Sequence, residues 1–174
     1  MPAEGDTQIK FDRVYIWLEP DAFGPGAWRL TGNDNTPDAS GSQSELIQNG
    51  TVSSDTPTIS TNQPLYIKAD GSIGLASASS IATGRVAGIA ISAGVANGPI
   101  SYTRNKSINI LNPADVIDGA PTSLEQGRYY FLSTNPGNLT RTPETETTGA
   151  VVVQCGLATS TGDFTVEIQN PTVI

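Results

Sequence analysis

The 174-residue chain contains no histidine. That excludes Ser–His–Asp and Cys–His triads, His-ligated zinc and imidazole acid–base catalysis, and it removes the usual switch near neutral pH. There is one cysteine, Cys155, so no intrachain disulfide can form and no cysteine cluster can hold zinc or iron–sulfur. Basic residues are scarce. Nine Lys and Arg face seventeen Asp and Glu, a formal net charge of −8. Such a chain repels a phosphate backbone, so no nucleic-acid partner is expected. Long apolar runs are missing as well. The longest, Val86 to Ala96, spans eleven residues and includes Gly88 and Gly94, too short to cross a bilayer. The opening MPAEGDTQIK shows no basic stretch followed by an apolar one, so neither a secretory signal nor a membrane partner is expected.

What is abundant is turn chemistry. Gly 18 and Pro 12 accompany Ser and Thr, which make up about a fifth of the chain, without a collagen period. This composition predicts an all-β protein. In Gln8 to Leu18, Ile9 and Phe11 alternate with polar residues, then Val14, Ile16 and Leu18 alternate against Tyr15 and Trp17. The pattern predicts one N-terminal strand with a bulge near Arg13. Glu19-Pro20-Asp21 ends it, an aromatic loop follows, and a short strand begins at Trp28. Gly32 to Asn62 is dominated by Asn, Asp, Ser, Thr, Gly and Pro and predicts a long extended arm. Residues 1–60 hold three basic and nine acidic side chains, against six and eight in residues 61–174. The predicted division is therefore 1–63, with strand, aromatic loop and arm, and 64–174, a β domain with a C-terminal tail.

From Pro64 the chain reads as short strands with tight turns. Leu65 to Lys68 and Ile73 to Leu75 flank Asp70-Gly71, a hairpin signal that predicts a two-residue turn. Ala76 to Thr83 is a small-residue connector, and Arg85 to Ser92, Ile100 to Thr103 and Ser107 to Leu111 read as strands. The pattern then recurs. Tyr66 and Ile67 match Tyr130 and Phe131, and Gly88-Ile89-Ala90 matches Gly156-Leu157-Ala158. Ile100 and Tyr102 match Phe164 and Val166. Two similar β units, about 64–111 and 124–168, predict a small β-barrel or sandwich.

Candidate chemistry is thin. Cys155 lies in the apolar run VVVQCGLA with no base nearby in sequence, which predicts a packed thiol and not a nucleophile. In Asp34 to Glu45, Asp38, Ser42 and Glu45 fall at calcium-loop positions five, nine and twelve. Thr36 stands at position three, Ala39 replaces the glycine at position six, and no helices flank the loop, so a solvated turn is the simpler reading. Glu144 and Glu146 lie in a polar connector without an apolar pocket to raise a pKa, as a general acid needs. No catalytic, cofactor or metal site is expected, and the chain is read as no enzyme. The aromatics carry more information. Phe11, Tyr15, Trp17, Phe23 and Trp28 are five of the eleven, within eighteen positions. They could form a local core. The alternative is that they are interface anchors, joined by Leu46 and Ile47, the apolar pair inside the polar arm.

Leu124 to Thr140, LEQGRYYFLSTNPGNLT, and Val152 to Ser160, VVQCGLATS, resemble phrases common in virion proteins of tailed bacteriophages. The first unit is similar to small capsid-associated phage proteins, with a Tyr-Ile-x-x-Asp-Gly hairpin, an Ala/Ser connector and Arg-Val-x-Gly-Ile-Ala. The resemblance covers about residues 64–168 and is to the capsid decoration, or cement, proteins. It implies a structural virion protein, made in the bacterial cytoplasm and bound to the outer capsid surface, with the major capsid protein as partner. A dimer or trimer of the chain is expected there. The seven apolar residues named above then become the expected capsid or subunit contacts. A tail, neck or fibre-base structural protein is one alternative. A carbohydrate-binding module, with Trp17 and Trp28 as its platform, is another.

Overall fold

A computed structural model describes the backbone of residues 7–10, 13–18 and 27–30, and residues 47–174 in full. The chain forms two compact units, Met1–Gln43 and Ser44–Ile174. Both are built from antiparallel β-structure.

The first unit holds a three-stranded sheet, β1 (Thr7–Lys10), β2 (Arg13–Leu18) and β3 (Ala27–Leu30), in that order. The expected single strand with a bulge is therefore two strands. Lys10 stands opposite Arg13 and Ile9 opposite Val14. The phase break near Arg13 marks a chain reversal, which resets the alternation just as a bulge does.

The second unit contains two five-stranded sheets. The first uses β4 (Ile47–Thr51), β6 (Pro64–Ile67), β7 (Ile73–Leu75), β8 (Val86–Ala90) and β10 (Pro99–Thr103), in the order β4-β10-β8-β6-β7. A two-stranded ribbon, β5 (Thr58–Ile59) with β9 (Gly94–Val95), accompanies it. The second sheet uses β11 (Ser107–Asn109), β12 (Tyr129–Leu132), β13 (Leu139–Thr140), β15 (Gln154–Ala158) and β16 (Asp163–Val166), in the order β11-β16-β15-β12-β13. Strand for strand, the two orders are the same. The predicted duplication is present, but its units are longer and start earlier than expected. They run 47–103 and 107–166, because β4 and β11 each supply an edge strand.

The arm expected over 32–62 is accordingly structured from Ile47 onward. β4 pairs along its whole length with β10, and Val52 and Ile59 are buried at 1% exposure. Its polar composition is that of an edge strand, whose exposed side chains face water. Residues 32–46, with the calcium-like loop 34–45, lie outside the described residues.

The repeat register differs from the letter match. Each central strand pair carries a bulge at the same place, between Leu65 and Tyr66 and between Tyr130 and Phe131. Leu65 faces Gly88 and Tyr130 faces Gly156, so Leu65, not Tyr66, is the counterpart of Tyr130. Tyr102 faces Ala90 and Phe164 faces Ala158, so Tyr102 corresponds to Phe164 and not to Val166. The extra residue of each bulge, Ala87 or Cys155, lets both the residue before it and the glycine after it keep their pairing. The first hairpin closes through Lys68 N–H to Ser72 O and Gly71 N–H to Lys68 O, with Gly71 at φ +84°. That is a three-residue loop with a left-handed glycine, not the two-residue turn expected.

Neither sheet closes into a barrel; each remains an open sheet compatible with a sandwich. A single parallel bridge, Val52 to Ile73 in one repeat and Ile117 to Leu139 in the other, links the segment after the first edge strand to the last one. Each sheet thus curls around a core of its own repeat, and the second of the two core clusters also takes in Ala76, Ala78, Val86 and Ile89 from the first repeat. Val52, Ile59, Leu65, Ile73, Ala90, Ile100 and Tyr102 fill the first. Ile117, Leu124, Tyr130, Leu139, Ala158 and Phe164 fill the second at matching positions. Burying one such large side chain contributes about 1.5–3 kcal/mol. Tyr130 and Phe164 meet edge to face, with centroids 5.9 Å apart and planes at 76°.

The small-residue connector joins the repeats. Ala78 N–H donates to Ser133 O, Val151 N–H to Ala78 O, and Gly137 N–H to Ala76 O. Ala76, Ser77 and Ala78 are all buried, and their small side chains let the connector's backbone approach closely enough for these bonds. The C-terminal tail is held by backbone pairing: β17 (Thr172–Val173) pairs with β14 (Val151–Val152).

Candidate functional site

In the N-terminal sheet, Trp17 stands directly opposite Trp28, and Tyr15 opposite Leu30. Strand alternation assigns Tyr15, Trp17 and Trp28 register positions on one face. Three of the expected contact residues are thus brought together. Phe11, Phe23 and Leu46 lie outside the described residues. Ile47 opens β4, half-buried, opposite Thr103 of β10. Its role in the second unit is to begin a sheet edge.

The residues weighed for catalysis fall apart chemically. Cys155 is fully buried at the bulge of β15, and burial pushes its thiol up to about 12. Its thiol points to Val153 O at 3.8 Å. The carboxylate of Glu144 accepts the N–H groups of Glu146 and Thr147 at 2.9 and 3.1 Å. Those bonds favour the ionised form and lower its pKa, the opposite of what a general acid requires. Among the described residues no group of three His, Cys, Asp or Glu side chains could hold a metal ion. Likewise, no helix among them is long and apolar enough to cross a membrane.

Charged side chains instead pin corners, at equivalent places in both repeats. Lys68 Nζ donates to Ser53 Oγ at 3.1 Å and to Asp55 Oδ2, joining the first hairpin to the segment after β4. The matching pair in the second repeat is Asp118 and Ser133, with polarity reversed. Asp118 accepts from Ser133 Oγ, and from the side-chain amides of Asn135 at 3.0 Å and Asn138 at 2.9 Å. Burial works against the charged form of Asp118, but the three hydrogen bonds outweigh it and hold the carboxyl below the ordinary aspartate value. Glu125 binds Arg141 and, at 2.7 Å, Arg128. These two arginines, Arg141 foremost, lower its pKa.

Two grooves among the described residues stand out by size. One, of about 660 Å³, runs between Ser60–Asn62 and the edge strand β11, and Leu111 at its rim is 85% exposed. Its charges are mixed, Lys106 against Asp115. The other, of about 570 Å³, is lined by Ile67, Ile81, Arg85, Arg104 and Pro171. Sequence reasoning passed over these residues. The available signal was the scarcity of positive charge: with six basic residues after position 60, any one left without a carboxylate is notable.

No protein-family model and no curated protein matches this chain.

Proposed function

We propose that this chain is a structural virion protein that binds the outer capsid lattice of a tailed bacteriophage and cements or decorates it. The observation that carries the reading is the tandem duplication. The phrases that resemble phage virion proteins fall on corresponding parts of the two repeats: the β6–β7 and β12–β13 hairpins and the central strands β8 and β15. A duplicated body offers two similar surfaces on one chain, and repeated attachment along a lattice raises avidity without any single tight contact. Its edges, β4 and β11, and the Tyr15–Trp17–Trp28 face supply surfaces for neighbouring subunits or a second copy.

The test is co-sedimentation of the purified chain with capsids that lack it, followed by electron microscopy. Saturable binding to the head is expected. Binding to the tail or neck would favour the fibre-base alternative, and no binding to either would refute the proposal. The register of Trp17 opposite Trp28 keeps a second reading, carbohydrate binding, in play. A glycan array that scores for the wild type and not for Trp28→Ala would favour it.

A further inference from the structure

We propose that the groove between Arg85 and Arg104 is a docking site for an extended acidic segment, one or two carboxylates beside an aliphatic side chain. Resting on the capsid-binding reading above, the inference assigns that segment to the lattice protein.

Six basic residues follow position 60. Lys68 pairs with Asp55, and Arg128 and Arg141 pair with Glu125. Arg85, Arg104 and Lys106 make no ion pair among the described residues. Two of these three line one groove, whose walls carry Ile67 at 52% exposure, Ile81 at 38%, and Pro171. In a chain of net charge −8, this is a local reversal of sign set in apolar surface. Guanidinium forks match carboxylates in two-point geometry, and the isoleucines offer an aliphatic residue a place to leave water. The chain's overall charge disfavours a polyanion such as nucleic acid or an anionic bilayer. Glu167 borders Arg104 in the adjoining hollow without pairing to it, which further restricts the ligand to few charges. The larger groove beside β11, with one charge of each sign, selects neither.

The site is held rigidly. Arg85 directly precedes β8 and Arg104 directly follows β10, and these strands pair through Tyr102–Ala90 and Thr103–Ile89. Another part of the lining, Gln169 to Pro171, is tied by Gln169 N–H to Gln154 O at 2.9 Å. Fixed walls reduce the ordering cost of binding.

The experiment compares the full-length wild type with an Arg85→Glu/Arg104→Glu variant in capsid co-sedimentation. It adds an NMR titration with a short peptide of alternating Glu and Val, and with its Gln–Val counterpart. Both arginines are exposed, and neither side chain makes a hydrogen bond or ion pair among the described residues, so the variant is expected to melt with the wild type. At least a tenfold loss of capsid affinity is expected, with salt weakening the wild type most. Should the wild type bind capsids and the variant bind equally well, the groove is not the contact and this inference falls while the capsid reading stands. Should the wild type not bind capsids, the capsid reading falls, and the peptides decide the groove. Shifts at Arg85 and Arg104 with the Glu peptide alone support it. Equal shifts with both peptides, or none, overturn it. If the variant unfolds, the Arg85→Gln/Arg104→Gln variant is read in the same assays and by the same criteria.

Discussion

Gly156 offers the sharpest test of the duplicated core. A Cβ built there would lie 2.2 Å from Thr165 O and 2.7 Å from two ring atoms of Phe164. The ring has some freedom. The carbonyl has little, because Thr165 is paired with Leu157 of β15 on one side and Ser107 of β11 on the other. Relieving the contact requires β16 to move by about an ångström against both neighbours. Overpacking of a tight core costs about 1–3 kcal/mol, and a backbone obstacle places Gly156→Ala at the upper end, about 3 kcal/mol. For a protein of this size that is about 6–12 °C in melting temperature. The repeat supplies an internal control. At Gly88 the corresponding contacts are Tyr102 Cδ2 at 2.5 Å and Thr103 O at 2.7 Å, so Gly88→Ala should destabilise by slightly less. A second control separates crowding from conformation. Gly127 sits at φ +79° with no atom within 4 Å of its absent Cβ, so Gly127→Ala costs only left-handed backbone strain, about 1–2 kcal/mol. Phe164→Leu in the Gly156→Ala background removes the ring contacts but not the carbonyl, so it should not restore stability. Urea denaturation at neutral pH measures all of these. A Gly156→Ala variant no less stable than Gly127→Ala would refute the argument that the β16 backbone fixes this glycine.

Three further outcomes follow from individual contacts. Cys155, buried with its thiol pushed up to about 12, should resist thiol reagents in the native protein and react at the rate of unfolding; fast stoichiometric labelling without denaturant would contradict its placement. Asp118 has its folded-state pKa held below the ordinary aspartate value by its hydrogen bonds, so its contribution is present above that ordinary value and is lost as pH falls through the folded one. Asp118→Asn should therefore lower the urea midpoint at pH 7, with the gap to wild type narrowing as the pH is taken down through the acid range; a gap independent of pH would remove the carboxylate from the account. The Tyr130 hydroxyl accepts the N–H of Glu125 at 3.0 Å, so Tyr130→Phe leaves a part-buried donor unmet and should cost about 1–2 kcal/mol, against no change if water takes over the bond.

Which features could be read from the sequence depends on whether their cause is local. The glycines at 88 and 156 anchored the repeat correctly, because each is imposed by an aromatic ring and a carbonyl from the next strand, and no other residue fits. The strands beside them were matched one or two places out. Identity of letters drew Tyr66 to Tyr130, whereas the bulge pairs Leu65 and Tyr130 with those glycines. A core position tolerates Leu or Tyr if the volume is made up elsewhere, so its identity carries no register. The edge strand β4 was hidden for a related reason. An edge exposes most of its side chains, and Gln48, Asn49 and Thr51 resemble a loop unless the partner β10 is known.

The same distinction separates the two candidate surfaces. Tyr15, Trp17 and Trp28 stand out by composition, and hairpin register alone aligns them. The arginine groove cannot be seen that way. Its residues come from β6, the connector, the start of β8, the end of β10 and the C-terminal run. Nothing in the spacing of Arg85 or Arg104 marks them. Their chemistry arises because, among the described residues, the fold assigns carboxylates to Lys68, Arg128 and Arg141 and none to them. Lys68 illustrates the converse. It lies two residues from Asp70, yet its partner is Asp55, thirteen residues away, while Asp70 turns to Ser72 within the hairpin loop. Pairing in this protein is set by which corners meet, so the free positive charges that could recognise a partner are a property of the folded surface.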